Sequence, residues 1–269
     1  MLLFPNAKIN LGLQIINKRD DGFHNLETIF VPVPWTDILE VVPNNSEEIN
    51  FKCTGLLIPG KTQNNFIVKA FYAMQAQYKI SGVDVHLHKN VPIGGGLGGG
   101  SSDVAFFVKG INELFDLKLS NATMKEIVLP YGSDCPFFIE NKPQLGTGIG
   151  TTLDPIAIDL TGYWMVLVAP DVHVATAQAY AKIQPKAPKH RLRELINKPI
   201  ATWKEYMKND FEKSVFSKFP AVAKVKQTLI SAGALYASMS GSGATCYGIF
   251  KEKPALAFPE NYPNLTVQI

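Results

Sequence analysis

Apolar and polar positions alternate along residues 7–17 (AKINLGLQIIN), the period of a strand with one buried face. The same texture continues through 25–33 (NLETIFVPV) and 37–42 (DILEVV), where Pro32 and Pro34 mark an edge or an end of pairing. A fourth strand is predicted at 48–53 (EINFKC). From Asn65 to Tyr78 the residues Ile67, Ala70, Phe71, Met74 and Tyr78 recur at threes and fours, which predicts a helix. Residues 82–88 alternate again, with Val83, Val85 and Leu87 on one face. A second helix is predicted from Ser101, with Val104, Phe107, Val108, Ile111 and Leu114 inward, and a third at 120–129. Past residue 150 the texture changes. Trp164 to Ala169 (WMVLVA) reads as a buried strand, 220–232 as a helix and 244–250 as a strand. Residues 185–199 hold three prolines and five basic side chains (Lys186, Lys189, Arg191, Arg193, Lys198), which predicts an exposed or mobile connection. Strands cluster first and then mix with helices, which favours an α+β fold over a regular βαβ repeat. A boundary is expected near 155, giving domains 1–155 and 156–269.

Composition narrows the class. A chain of 269 residues makes one large domain or two ordinary ones and buries a core without staples. Apolar residues at 46% exclude a disordered chain, and a net charge of +3 gives no reason to expect nucleic-acid binding. The three cysteines, Cys53, Cys135 and Cys246, have no metal-ligand spacing, so a reducing, cytoplasmic setting is expected. Cys135 reads as a buried small apolar residue rather than a reactive thiol. The N-terminus lacks the charge and apolar pattern of a signal peptide, and no apolar run reaches membrane-spanning length.

The glycines change the picture. Of 21, six fall at positions 94–100: Gly94, Gly95, Gly96, Gly98, Gly99 and Gly100. They lie between a predicted strand and an amphipathic helix. Glycines there let the backbone take positive φ and turn several N–H groups toward one point, while Ser101 or Ser102 is placed to cap the helix. A helix N-terminus with free N–H groups is an anion site, and a phosphate chain suits it. Gly94-x-Gly96-x-x-Gly99 formally matches the dinucleotide pattern, with Asp116 downstream, but any glycine run this dense contains it. No Gly-Lys-Ser/Thr follows, and the protein-kinase tripeptides are missing. His86 and His88 share a strand face, which suits a metal or plain solvent. Gly146 to Gly150 reads as a hairpin or sheet bend.

Three segments in order, Pro5-Asn-Ala-Lys-Ile-Asn-Leu11, Pro92-Ile-Gly-Gly-Gly-Leu-Gly-Gly-Gly-Ser-Ser102 and Met239-Ser-Gly-Ser-Gly-Ala-Thr245, resemble the three motifs of the GHMP small-molecule kinases. Asp21-Gly-Phe-His-Asn25, Gly132-Ser-Asp-Cys-Pro-Phe137 and Asn209-Asp-Phe-Glu212 are similar to the branch whose acceptor is a cytidine-diphosphate-linked methylerythritol. The resemblance spans essentially the whole chain. It implies a two-domain α+β GHMP kinase fold, with an S5 domain 2-like N-terminal half, a ferredoxin-like C-terminal half and the active site in a cleft between them. It implies transfer of the γ-phosphoryl group of ATP to a 2-hydroxyl. Mg²⁺ is expected to arrive on the nucleotide phosphates, with no protein metal site. The partners implied are small molecules, with no nucleic acid and no membrane, and the expected state is a monomer or weak homodimer.

The resemblance also implies roles. Asp134 is the general base, although by itself it reads equally as a helix-cap aspartate. Lys8, otherwise an edge charge on a strand, lies beside Asp134 and the transferring phosphate. Gly94–Gly96, Gly98–Gly100, Ser101 and Ser102 hold the phosphates of ATP. Lys89 and Asn65 reach the adenosine side; read alone they are an exposed lysine and a helix-start asparagine. Asn10, two residues from Lys8 on one strand face, bonds the acceptor substrate. Phe23 stacks on the cytosine where the family usually carries tyrosine, His24 reads the pyrimidine edge, and Tyr180 closes the other face. Gly241-Ser-Gly243 is a second glycine turn near the ligands. Mevalonate, homoserine or a sugar as acceptor, an NAD-binding dehydrogenase and a nucleotide-binding protein without catalysis remain open at this point.

Overall fold

A computed structural model of the chain describes residues 1–181 and 183–269. The first half carries β1 (Leu2–Leu3), β2 (Asn6–Lys18), β3 (His24–Thr36), β4 (Ile38–Pro43), β5 (Ile49–Gly55), α1 (Phe66–Tyr78) and β6 (Val83–Lys89). It continues with α2 (Gly99–Leu114), α3 (Asn121–Val128), α4 (Phe137–Glu140), β7 (Gln144–Thr147) and β8 (Thr152–Pro155). The second half begins with β9 (Trp164–Val168), α5 (Thr176–Tyr180), α6 (Leu192–Leu195), α7 (Ile200–Tyr206) and α8 (Glu212–Lys218). It closes with α9 (Pro220–Ser231), β10 (Tyr236–Met239), β11 (Cys246–Phe250) and β12 (Asn264–Gln268). Two compact units result. The first comprises Met1–Lys8, Pro32–Ile93 and Gly98–Lys142; the second comprises Ile9–Val31, Gly94–Leu97 and Pro143–Ile269. This differs from the expected single cut near 155. β2 and β3 are long enough to run through both units, and no shift in composition marks such a division.

In the first unit the sheet order is β1-β4-β6-β5, with β5 parallel to β6 and the other pairs antiparallel. The register pairs Leu39 with Leu87 and Val41 with Val85, so one face is apolar and buried. Glu40, His86 and Lys52 lie in one row on the opposite face. α1 and α2 pack together and bury Phe71 and Met74 from one, and Val104, Phe107 and Ile111 from the other. The third predicted helix ends early. The α-helix stops at Val128 and the chain tightens into a 3-10 turn at Leu129–Tyr131, because Pro130 has no N–H to continue the ladder.

The second unit holds a sheet of order β10-β11-β9-β12. β9 is paired on both sides and buried on both faces from Met165 to Val168, which accounts for its unbroken apolar sequence. The parts of β2 and β3 in this unit join β7 and β8 in the order β2-β3-β7-β8. Gly148 and Gly150, at φ 65° and 95°, turn the β7–β8 hairpin, as expected for this segment. The core collects Leu13, Ile15, Val166, Phe211, Val215, Leu229 and Met239. The basic stretch at 185–199 is only partly the expected exposed connection. Leu192 and Leu195 of α6 are buried, and Glu27 of β3 accepts from the Leu192 N–H (2.6 Å) and the Arg191 guanidinium (3.0 Å). A buried carboxylate needs donors, and this segment supplies them.

Candidate active site

In the first unit, β2 carries Lys8 and the turn before α4 carries Asp134. Lys8 Nζ lies 3.2 Å from Asp134 Oδ2, with the lysine side chain 3% and the aspartate 31% exposed. The turn is held by the Cys135 N–H donating to the Gly132 carbonyl, and it is anchored by buried Phe137 and Phe138. Asn6 and Asn141 exchange amide hydrogen bonds of 2.6 and 3.2 Å, which fixes the start of β2 against the end of α4. The alternative of a capping aspartate fails, since α4 has Pro136 at its N-cap and no side-chain cap. A buried ammonium thus stands beside a partly accessible carboxylate. Cys135, next in sequence, is buried, and its thiol is pushed up to about 12 by burial, so it is inert as expected.

The glycine loop divides its work. Gly94, Gly96 and Gly98 take φ of 69°, 76° and 70°, which side chains resist. In the second unit, the Gly96 carbonyl accepts from Ser240 Oγ (2.8 Å) and the Gly95 carbonyl from the Thr245 N–H (3.1 Å). A Cβ on Gly96 would stand 2.1 Å from the Ser240 carbonyl oxygen. In the first unit, Gly98 is the N-cap of α2, and a Cβ there would meet Lys8 and Phe138 at 3.1 and 3.0 Å. Gly100 differs, because a Cβ would meet nothing within 4 Å. Neither serine caps the helix. α2 begins at Gly99, two residues earlier than predicted, because Gly98 turns the chain in by itself; Ser101 and Ser102 fall within the first turn. The first N–H groups of α2 have no intrahelical partner and no capping side chain. The buried Ser102 hydroxyl has no hydrogen-bond partner.

Lys89 corrects the expectation. It is neither an exposed lysine nor free to reach an adenosine with its ammonium. Nζ is buried and bonds Asp37 Oδ2 and, at 2.8 Å, Asp103 Oδ2. Burial alone would lower this lysine, but the two carboxylates outweigh it and hold it raised. Asn65 is the N-cap of α1, with Oδ1 accepting from the Ile67 N–H (2.9 Å). His86 Nε2 and His88 Nδ1 share the Thr54 hydroxyl, at 2.8 and 3.0 Å. Among the described residues no group of three or more His, Cys, Asp or Glu is placed to hold a metal.

In the second unit, the His24 and Tyr180 rings stack at 4.9 Å and 29°, and Phe211 meets Tyr180 edge-on at 4.7 Å. Phe23 stands 59% exposed at the β2–β3 turn, where its N–H donates to Asp21 Oδ1. The Asn10 amide donates to Thr28 Oγ1 (3.0 Å), and Thr28 donates on to the Gly12 carbonyl. Asn10 Oδ1 lies beside Gly241, where a Cβ would approach it to 3.3 Å. The segment Asn209–Glu212 explains the third motif. Asn209 Nδ2 donates to the carbonyls of Met239 and Gly241, both at 2.8 Å, and Glu212 accepts from Ser238 Oγ and the Met239 N–H. Asp210 accepts the Ile15 N–H (2.7 Å), and burial raises its carboxyl. Asn209 and Glu212 were visible in sequence as a motif without a role; Thr28 and Asp103 fell within the motif segments but received no role, and Asp37 gave no motif.

Comparison with known proteins agrees over the full length. The family model described as GHMP kinases N terminal domain matches residues 65–142, and that described as GHMP kinases C terminal matches 192–262. The chain is 47% identical over 266 residues to the 4-diphosphocytidyl-2-C-methyl-D-erythritol kinase of Cytophaga hutchinsonii, covering 98% of this chain and 97% of the relative. It is 47% identical over 252 residues to the enzyme of that name from Bacteroides fragilis, covering 93% and 92%. Among solved structures it is similar to a 4-(cytidine 5'-diphospho)-2C-methyl-D-erythritol kinase, with 27% identity, a TM-score of 0.80 and coverage of 93% and 90%. The mevalonate kinase of Methanococcus jannaschii shares the fold, at 14% identity, a TM-score of 0.68 and coverage of 93% and 90%.

Proposed function

The chain belongs to the GHMP kinase family, and from that membership we propose that it transfers the γ-phosphoryl group of ATP to the 2-hydroxyl of 4-diphosphocytidyl-2-C-methyl-D-erythritol, a step of non-mevalonate isoprenoid synthesis. The observation that carries the chemistry is the Lys8–Asp134 pair at 3.2 Å. Phosphoryl transfer leaves the protein mainly positioning and charge to supply. Asp134 orients the acceptor hydroxyl and takes its proton. Lys8 holds Asp134 in place and offsets charge developing on the phosphate oxygens. The unpaired N–H groups at the start of α2 face the nucleotide phosphates, and the open space at Gly100 admits them. Mg²⁺ comes with the nucleotide, and when bound it neutralises phosphate charge. In the second unit, Phe23, His24 and Tyr180 hold the cytosine, and Asn10 bonds the acceptor. The enzyme works in the cytoplasm, a setting in which its three cysteines stay free.

Full-length identity of 47% to relatives bearing that enzyme name supports this acceptor over mevalonate, homoserine or a sugar. A coupled ADP-release assay over these acceptors tests it. Turnover is expected with the cytidyl substrate alone. Turnover with mevalonate or homoserine and none with the cytidyl substrate would refute the assignment.

A further inference from the structure

Two buried carboxylates and one buried ammonium lie at the base of the glycine loop, and the loop motif does not require them. Asp37 Oδ1 accepts the N–H groups of Asn90 (2.6 Å) and Val91 (2.8 Å), which fixes the chain as it leaves β6. Asp37 Oδ2 bonds Lys89 Nζ, and Lys89 passes on to Asp103 in the early turns of α2, at 2.8 Å. The side chains of Asp37, Lys89 and Asp103 are 0%, 2% and 5% exposed. A Cβ on Gly99 would lie 3.2 Å from Lys89 Nζ, so the ammonium sits directly against the first residue of the helix.

We propose that Asp37, Lys89 and Asp103 clamp the two ends of the glycine loop as positioning residues for the nucleotide, and that a proton held on Asp103 sets the affinity for ATP. The proposal rests on the kinase reading above. The charges do not balance if both carboxylates ionise. Asp37 receives three donors, whereas Asp103 has Lys89 alone and its Oδ1 has no partner. The proton therefore belongs on Asp103. Burial pushes this carboxyl up to about 8; Lys89 opposes that rise and Asp37 adds to it. Cys53 on β5, its thiol raised by burial, also senses all three charges, and no charged group of α1, α3 or α4 acts on Asp103 among the described residues. With the proton in place the clamp is neutral beneath the N–H groups that face the phosphates. Without it a net negative charge lies under the same groups and opposes a polyanion. By linkage, nucleotide binding must then draw a proton onto the clamp.

Calorimetric titration of the native protein with Mg-ATP at pH 7 and pH 9, in two buffers of different ionisation enthalpy, tests this. Binding is expected to weaken about five-fold at pH 9, a modest effect for one buried charge near a polyanion, with net proton uptake on binding. Asp103→Asn retains a polar partner for Lys89, and it is expected to bind equally at both pH values with no uptake. A variant that keeps the native pH dependence would overturn the clamp. If Asp103→Asn does not fold, the native protein decides alone, and absence of proton uptake at pH 9 overturns it. Failure of ATP to bind at either pH would instead refute the kinase reading, and the nucleotide role of the clamp with it.

Discussion

Lys89, expected as an exposed lysine or an adenosine contact, is instead buried against Asp103. Lys89 shares the parity of Val83, Val85 and Leu87, the buried face of β6, so strand geometry pointed it inward. Asp103 stands one turn before Phe107 on the buried face of α2. A charged residue on an apolar stripe signals a paired interior charge, but nothing marked Asp37, at the start of the predicted strand 37–42 and in the structure between β3 and β4, as the partner. The consequence for stability has a definite sign. The Asp103 carboxyl, ordinarily near 3.8, stands at about 8 when folded. A raised folded value contributes stability that is present below the unfolded value and lost as pH rises through the folded one. Chemical denaturation of the native protein and of Asp103→Asn at pH 5 and pH 8 checks it. The variant should gain on the native protein as pH rises between these points, and a constant difference would contradict the assignment. The Lys8–Asp134 pair was legible only through its motifs, since neither residue stands out by period. Asp134→Asn should lower kcat by about 10²- to 10⁴-fold, the span of a lost general base, with KM for ATP little changed. Steady-state rates measure this directly.

At the scale of elements, the long periodic segments were legible: α1, α2, β2, β6 and β9 fall where alternation and helical spacing put them. The short ones were not. α5 to α8 run four to seven residues and take their form from partners such as Glu27, Asn209 and Glu212 rather than from their own pattern. The glycine loop was legible as a run of backbone turns at positive φ, but not in its division of labour. Gly96 serves packing, since a Cβ would run into the Ser240 backbone, whereas Gly100 faces open space. Gly96→Ala should therefore destabilise the fold, by roughly 2 kcal/mol or more, through strain at positive φ and a backbone clash. Gly100→Ala should leave the thermal midpoint unchanged or raised, as alanine favours a helix by about 1 kcal/mol, yet raise KM for ATP. Thermal melts beside ATP titrations separate the two. Equal loss of stability in both variants would contradict this division.

At the scale of the whole molecule, α+β class and family membership were legible because motifs occur in order along nearly the entire chain. The path of the chain through two discontinuous units was not, since burial on both sides of a long strand leaves no boundary in composition. The acceptor recognition proposed above belongs to this scale, because the residues assigned to it come from distant parts of the sequence: Asn10, Phe23, His24 and Tyr180. Stacking with an edge readout should favour cytosine over uracil by at least about ten-fold in kcat/KM. Comparison of cytidyl and uridyl substrates measures that preference, and equal rates would remove the proposed base pocket. The most direct test of the central claim is phosphorus NMR of the protein with Mg-ATP and 4-diphosphocytidyl-2-C-methyl-D-erythritol. A new phosphomonoester resonance should grow in step with ADP while the acceptor diphosphate stays intact. ADP and inorganic phosphate without the monoester, or no change in ATP, would contradict it.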